Sequence, residues 1–168
     1  MSKVLFVIAN NNFQDAEFKI PKDVLEKANI QVDVAAGKKG ECIGKFGTKT
    51  QATLSLSEAS CADYDAVVFI GGPGAYNEYQ NNKEYFSLAK LAKILGAICI
   101  APTILSDSGI FKNKKVTGWD DGEGTQKKHI EKNGATFTGE DITTDGNIIT
   151  ANGPSSAEKF GQAILSKL

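Results

Sequence analysis

Arginine is missing from this chain: all 19 of its cationic side chains are lysines. Without a guanidinium fork it lacks the group that usually clamps carboxylates and phosphates through two parallel hydrogen bonds, so a dedicated phosphate site is not expected. Histidine occurs once, as His129, and the three cysteines (Cys42, Cys61, Cys99) show no C-x-x-C spacing. That is a poor ligand set for zinc, and an odd cysteine count argues against a disulfide scaffold. The apolar run in MSKVLFVIANNN is only about six residues, which fits a buried strand better than a signal peptide or membrane span. With a formal net charge of −1, no polyanion-binding field or acidic tail is implied. No metal, nucleic acid or membrane partner is therefore expected, and a reducing cytoplasm is the default compartment.

What is present fits one soluble domain covering residues 1–168: 41% apolar and 23% charged side chains, on a chain long enough for one sizeable core. The stretch LGAICIAPTIL, residues 95–105, organises the reading. Ala97-Ile98-Cys99-Ile100 is a short apolar run, and Pro102 suits the first turn of a helix, where its missing N–H is not needed. Cys99 then lies at the corner between a buried strand and a helix. Unpaired N–H groups and the positive end of a helix dipole favour a thiolate there. The plain alternative is a small buried hydrophobe, the fate of most unpaired cysteines.

Strands alternate with helices along the rest of the chain. Val4 to Ala9 is apolar throughout, as in a strand covered on both faces. Asn10-Asn11-Asn12 follows as a polar loop at the strand end where open α/β sheets place ligands. A helix is predicted over roughly residues 15–29, kinked at Pro21 or starting just before it. Its inner stripe is Glu17, Val24, Leu25 and Ala28. Glu17 is either an N-terminal acid complementing the dipole or a buried carboxyl kept protonated by desolvation. Gln31 to Ala36 reads as a strand, residues 37–55 as a hairpin or irregular excursion holding Cys42, and Ser57-Glu58 as the cap of a short helix. Ala66 to Ile70 is a strand ending in Gly71-Gly72-Pro73-Gly74, which lacks both the G-x-G-x-x-G spacing and the P-loop lysine.

A polar loop is predicted over residues 76–82 and a helix over 84–95, with Phe86, Leu88, Leu91, Ala92 and Leu95 inward and Gly96 as its stop. The Cys99 helix closes at Ser108-Gly109. Lys115 to Thr117 is a short strand, residues 118–124 a solvated acidic turn without the EF-hand pattern, and 125–133 a helix with His129 on its surface. Asp145-Gly146 reads as a hairpin turn between strands at 142–144 and 148–151, and Asn152-Gly153-Pro154 as the entry to a last helix. The alternation predicts a three-layer αβα sandwich around a mostly parallel sheet, of the flavodoxin-like or class I glutamine-amidotransferase-like kind.

Glu17 in EFKIP, Gly71-Gly72-Pro73-Gly74 after a strand, and Cys99 in AICIAP occur in the order and spacing of one superfamily. The chain resembles the ThiJ/PfpI superfamily, in the branch of the Parkinson-associated protein DJ-one, over nearly its whole length. The resemblance implies Cys99 as a nucleophile on a strained elbow and Glu17 as a protonated acid that donates to its thiolate. It further implies N–H groups near Gly72 and Ile100 as an oxyanion-type site, a homodimer, and no cofactor. Asn11, Gly71, Pro73 and Trp119 would line the pocket. Peptidase-like members carry histidine after the cysteine, where this chain has Ile100. Trp119 stands where relatives have a second histidine. Peptidase action, which needs the leaving amine protonated, is thereby disfavoured.

The activity then implied is glutathione-independent glyoxalase or deglycase-like chemistry on a small reactive carbonyl, with Cys99 adding to carbon and Glu17 moving a proton. The alternative is a redox or chaperone-type sensor of the stress response, in which an oxidant converts Cys99 to sulfinate. Hydration of an isocyanide is a third chemistry within the superfamily. Cys42 and Cys61 are expected to be structural.

Overall fold

A computed structural model describes residues Met1–Leu168. The chain runs β1 (Lys3–Val7), β2 (Asn11–Phe13), α1 (Asp15–Lys27), β3 (Gln31–Ala36), β4 (Gly40–Gly44), β5 (Lys49–Ala52) and β6 (Leu54–Ser55). After two 3₁₀ turns come β7 (Ala66–Phe69), α2 (Pro73–Tyr79), α3 (Lys83–Leu91), β8 (Ile94–Ile98) and α4 (Ala101–Ser106). The last third holds β9 (Lys115–Val116), α5 (Thr125–Lys132), β10 (Thr136–Phe137), β11 (Ile142–Asp145), β12 (Ile148–Ala151) and α6 (Ala157–Leu165).

Seven strands form the central sheet in the order β11-β12-β8-β7-β1-β3-β6. Every pairing in it is parallel except β11 with β12, the Asp145-Gly146 hairpin. β1 and β7 are buried at nearly every position because helices cover both faces of the sheet. One core gathers Leu5, Val67 and Phe69 with Tyr79 of α2, Tyr85 of α3 and Ile104 of α4. The other sets Val4, Phe6 and Val68 against Phe18 and Leu25 of α1 and Phe160 and Ile164 of α6. This is the three-layer αβα arrangement. No helix is long and apolar enough to cross a membrane.

The excursion after β3 is a hairpin of β4 and β5, and β2 pairs parallel with β4. Asp15 ties the hairpin to α1: its carboxylate accepts from the Phe46 N–H and the Thr48 N–H, each at 2.8 Å. The short turn that follows is capped by Ser55 with Glu58 in a capping box, so the cap begins two residues before the predicted Ser57. The acidic turn before α5 does more than meet solvent. Asp120 accepts from the N–H groups of Gln126 and Lys127 at 3.1 and 3.0 Å, supplying the helix start with an acceptor.

Several boundaries differ from the sequence expectation. α2 (Pro73–Tyr79) takes in residues 76–79 of the loop predicted over 76–82, begun by Gly72 as N-cap and Pro73 at the first helical position. α3 ends at Leu91 and Gly96 lies inside β8. A Cβ on Gly96 would stand 3.2 Å from the Phe160 ring and from Val68, so this glycine serves close packing of α6 on the sheet rather than helix termination. α3 consequently buries Tyr85, Leu88 and Ala89, while Leu91 is exposed. Pro21 neither starts nor ends α1; it sits buried inside it, against Gly161 of α6.

Candidate active site

The sheet order reverses between β1 and β7, and open parallel sheets place ligands beyond the carboxyl ends of strands at such a point. The segments leaving β1, β7 and β8 converge there. They bring Glu17, Gly71-Gly72 and Cys99 together.

Cys99 has φ +63°, a left-handed conformation that is strained for a residue with a Cβ. Two backbone hydrogen bonds fix it: its N–H donates to Ala151 O at 2.9 Å, and its carbonyl accepts from the Trp119 N–H at 2.8 Å. β8 ends at Ile98, Ile100 is the N-cap of α4, and the thiol stands between them, partly accessible. The N–H groups of Ile100 and Gly72 act on the sulfur and favour its anion.

Glu17 is fully buried on α1. Its Oε2 accepts from the Gly71 N–H at 3.0 Å, while Oε1 is buried without a protein partner. Burial raises its carboxyl from 4.5 to about 7, opposed by the Cys99 thiol and the Gly71 N–H. A neutral or half-neutral carboxyl at physiological pH follows from desolvation, as the second reading of Glu17 requires.

The thiol departs from expectation. Burial pushes Cys99 well above an ordinary thiol, and the Glu17 charge adds to this; the two N–H groups only partly oppose it. Helix-terminal donors alone would have lowered it, but an adjacent carboxylate and a dry setting outweigh them. Burial and the Glu17 charge thus both oppose a standing thiolate at Cys99.

A cavity of about 370 Å³ opens over the thiol. Of the residues named from sequence, Cys99, Glu17, Gly72, Pro73, Ile100 and Trp119 line it. Gly71 sits behind, where a Cβ would come within 2.8 Å of both the Cys99 Cβ and Glu17 Oε2. Asn11 is a correction: β2 turns it away to pair with Ile43, and it borders a different, polar cavity with Glu78 and Tyr85. Gln14, Lys45, Tyr76 and Pro154 also line the thiol cavity and carried no local signal, apart from the Asn-Gly-Pro helix entry that holds Pro154. Lys45 reaches it only through the long-range pairing of β2 with β4.

Elsewhere, Cys42 and Cys61 are buried, one in each core, and burial raises both thiols. His129 Nε2 lies 2.6 Å from Asp107 Oδ1 at the far end of α4, outside the thiol cavity. No cluster of three or more His, Cys, Asp or Glu side chains is placed to hold a metal.

An elbow cysteine beside a buried carboxyl, on a mostly parallel sandwich, defines a class of protein with one thiol-centred cavity. The sequence pattern of the DJ-1/PfpI family matches residues 2–167, and the chain belongs to that family. It is 35% identical over 171 residues to an uncharacterized protein of Methanocaldococcus jannaschii, covering 99% of this chain and 82% of that one. A ThiJ/PfpI domain protein from Brachyspira murdochii superposes with a TM-score of 0.92 at 31% identity, covering 98% of this chain and 95% of the other. Drosophila melanogaster DJ-1beta superposes with a TM-score of 0.86 at 28% identity, covering 100% of this chain and 91% of that one.

Proposed function

We propose that the protein is a cofactor-free, cysteine-dependent enzyme of the stress response that acts on small reactive carbonyls. The observation that carries this reading is the Glu17 carboxyl: buried, raised to about 7, and in contact with Cys99, the one cysteine of the three that is not buried, which lines the same cavity. A group near 7 both takes and gives protons at working pH.

With methylglyoxal, the thiol proton passes to the Glu17 carboxylate as sulfur attacks the aldehyde carbon. The carbonyl π pair moves to oxygen beside the Ile100 and Gly72 N–H groups, and Glu17 returns the proton to that oxygen. The carboxylate then removes the proton on the former aldehyde carbon and delivers it to the neighbouring carbon. The hydroxyl proton on the first carbon's oxygen passes to the neighbouring carbonyl oxygen, so that the first carbon becomes the thioester C=O and the second the C–OH. One carbon is oxidised to the acyl level and the other reduced to an alcohol, so no external oxidant is needed. Water cleaves the resulting thioester to lactate and frees the thiol. Lactate formation from methylglyoxal tests this directly. Native protein should produce it, and Cys99→Ser and Glu17→Gln should fall at least tenfold; equal rates in native and Cys99→Ser would end the proposal.

One observation favours a second reading. Glu17 Oε1, buried and unpartnered, would donate when protonated to an oxygen added to the neighbouring sulfur, stabilising a sulfinate. Mild peroxide followed by mass spectrometry should then add two oxygens to Cys99 ahead of Cys42 and Cys61. The absence of such selectivity removes the sensor. Peptidase action stays disfavoured, since Ile100 follows the thiol and His129 pairs with Asp107 away from the cavity.

A further inference from the structure

Lysine is the only cation type in this chain, and one lysine lines the thiol cavity: Lys45. Its backbone is fixed, with its N–H donating to Phe13 O at 2.9 Å, and its neighbours Phe46 and Thr48 are bonded to the Asp15 carboxylate. Its ammonium forms no ion pair with any acid; its one charge-related contact is the Phe46 ring, 5.2 Å from Nζ to centroid. The neighbouring hairpin lysine, Lys49, is instead paired with Glu41 at 3.6 Å. The one acid on the walls is Glu17, whose carboxyl is raised to about 7, and the remaining walls are apolar or uncharged, among them Trp119, Pro73 and Pro154. An unneutralised cation on an anchored backbone, lining the same cavity as a nucleophile and two N–H donors, is a charge-matching arrangement for a ligand with two ends.

We propose that Lys45 selects small carbonyl compounds that carry an anionic group, a carboxylate or a phosphate, on the side of the molecule away from the carbonyl carbon. The carbonyl end meets Cys99 and the N–H groups of Ile100 and Gly72; the anionic end meets the Lys45 ammonium. The covalent step is reversible addition. The S–C bond forms, the π pair of the carbonyl moves to oxygen, and the thiol proton ends on that oxygen with no change of oxidation state. This specificity rests on the carbonyl-addition reading of the site, and its test is independent of turnover.

That test uses two alkylating probes that differ in charge, iodoacetate and iodoacetamide, on Cys99 of the full chain. In native protein the iodoacetate-to-iodoacetamide rate ratio should exceed that of Lys45→Gln by about five- to tenfold, the size of one partly screened charge. Lys45→Arg should restore it, Lys49→Gln should leave it unchanged, and added salt should shrink it. Protection of Cys99 against iodoacetamide by glyoxylate, by glycolaldehyde phosphate and by neutral glycolaldehyde then separates carboxylate from phosphate. A ratio identical in native protein and Lys45→Gln overturns the inference even if methylglyoxal is turned over. A Lys45-dependent ratio with no carbonyl turnover would leave the anion preference standing and remove the enzyme reading.

Discussion

The Gly71 N–H donates to Glu17 Oε2 at 3.0 Å, and a Cβ on Gly71 would lie 2.8 Å from that same oxygen. The same imagined atom would also stand 2.8 Å from the Cys99 Cβ, so the glycine is the spacer that lets acid and thiol share one wall. Gly71→Ala should force carboxyl and thiol apart. Overpacking of this kind costs ~1–3 kcal/mol, and carbonyl turnover should drop more than tenfold while the fold persists by circular dichroism. An alanine variant with native activity would show that the spacing is not needed.

Glu17 also links the site to stability. Its carboxyl binds a proton more tightly folded than unfolded, about 7 against 4.5, so the sign is set: its contribution is most favourable below pH 4.5 and is lost as pH rises through 7. The loss amounts to about 3 kcal/mol, from the pH equivalent of the shift. Melting temperatures of native protein and Glu17→Gln should therefore diverge between pH 5 and 8 in favour of the variant. Because the Glu17 charge helps to push the thiol up, the same variant should ionise Cys99 at lower pH, seen as ultraviolet thiolate absorbance. A thiol titration that moves upward in Glu17→Gln would mean that the acid stabilises the thiolate instead.

The elbow stores strain that a substitution can release. Cys99 occupies φ +63° with a Cβ, so Cys99→Gly should be more stable than Cys99→Ala by about 1 kcal/mol. For a chain of this size that is ~2–4 °C in melting temperature. Calorimetry on the two inactive variants measures it free of any effect of the thiol. Equal stabilities would mean that the Ala151 and Trp119 hydrogen bonds, rather than the backbone conformation, set the local energy.

Much of this architecture is legible in the chain because burial on both faces of a sheet writes continuous apolar runs, as in Val4 to Ala9 and Ala66 to Ile70. Pro102 marks the first turn of α4, and Asp145-Gly146 marks the hairpin. What escaped depends on partners distant in sequence. Gly96 reads as a helix stop until Phe160 and Ile164 are seen pressing on it from α6. Residues 76–79 look like loop because α2 is short and polar on its outer side; Pro73 after Gly72 was the available signal. The ionisation of Cys99 could not be read locally, since helix-end donors, burial and Glu17 pull in different directions and only packing decides which prevails. Lys45 joins the cavity through strand pairing alone.

Trp119 separates backbone from side-chain roles at one position. Its N–H holds the Cys99 carbonyl at 2.8 Å whatever the side chain, while its indole lines the cavity and is 41% exposed. Trp119→Ala should leave the elbow in place and widen the mouth of the cavity. KM for a bulky carbonyl such as phenylglyoxal should then fall relative to methylglyoxal, with kcat for methylglyoxal changed less than about threefold, because uniform binding rather than transition-state contact is altered. Trp119 is the only tryptophan in the chain, so intrinsic fluorescence reports this wall alone. Alkylation of Cys99 should shift the native emission, and alkylation of Cys99→Ser protein should not. An emission unmoved by Cys99 modification would place the indole out of reach of the ligand, and a collapse of kcat in Trp119→Ala would mean that the side chain itself braces the nucleophile.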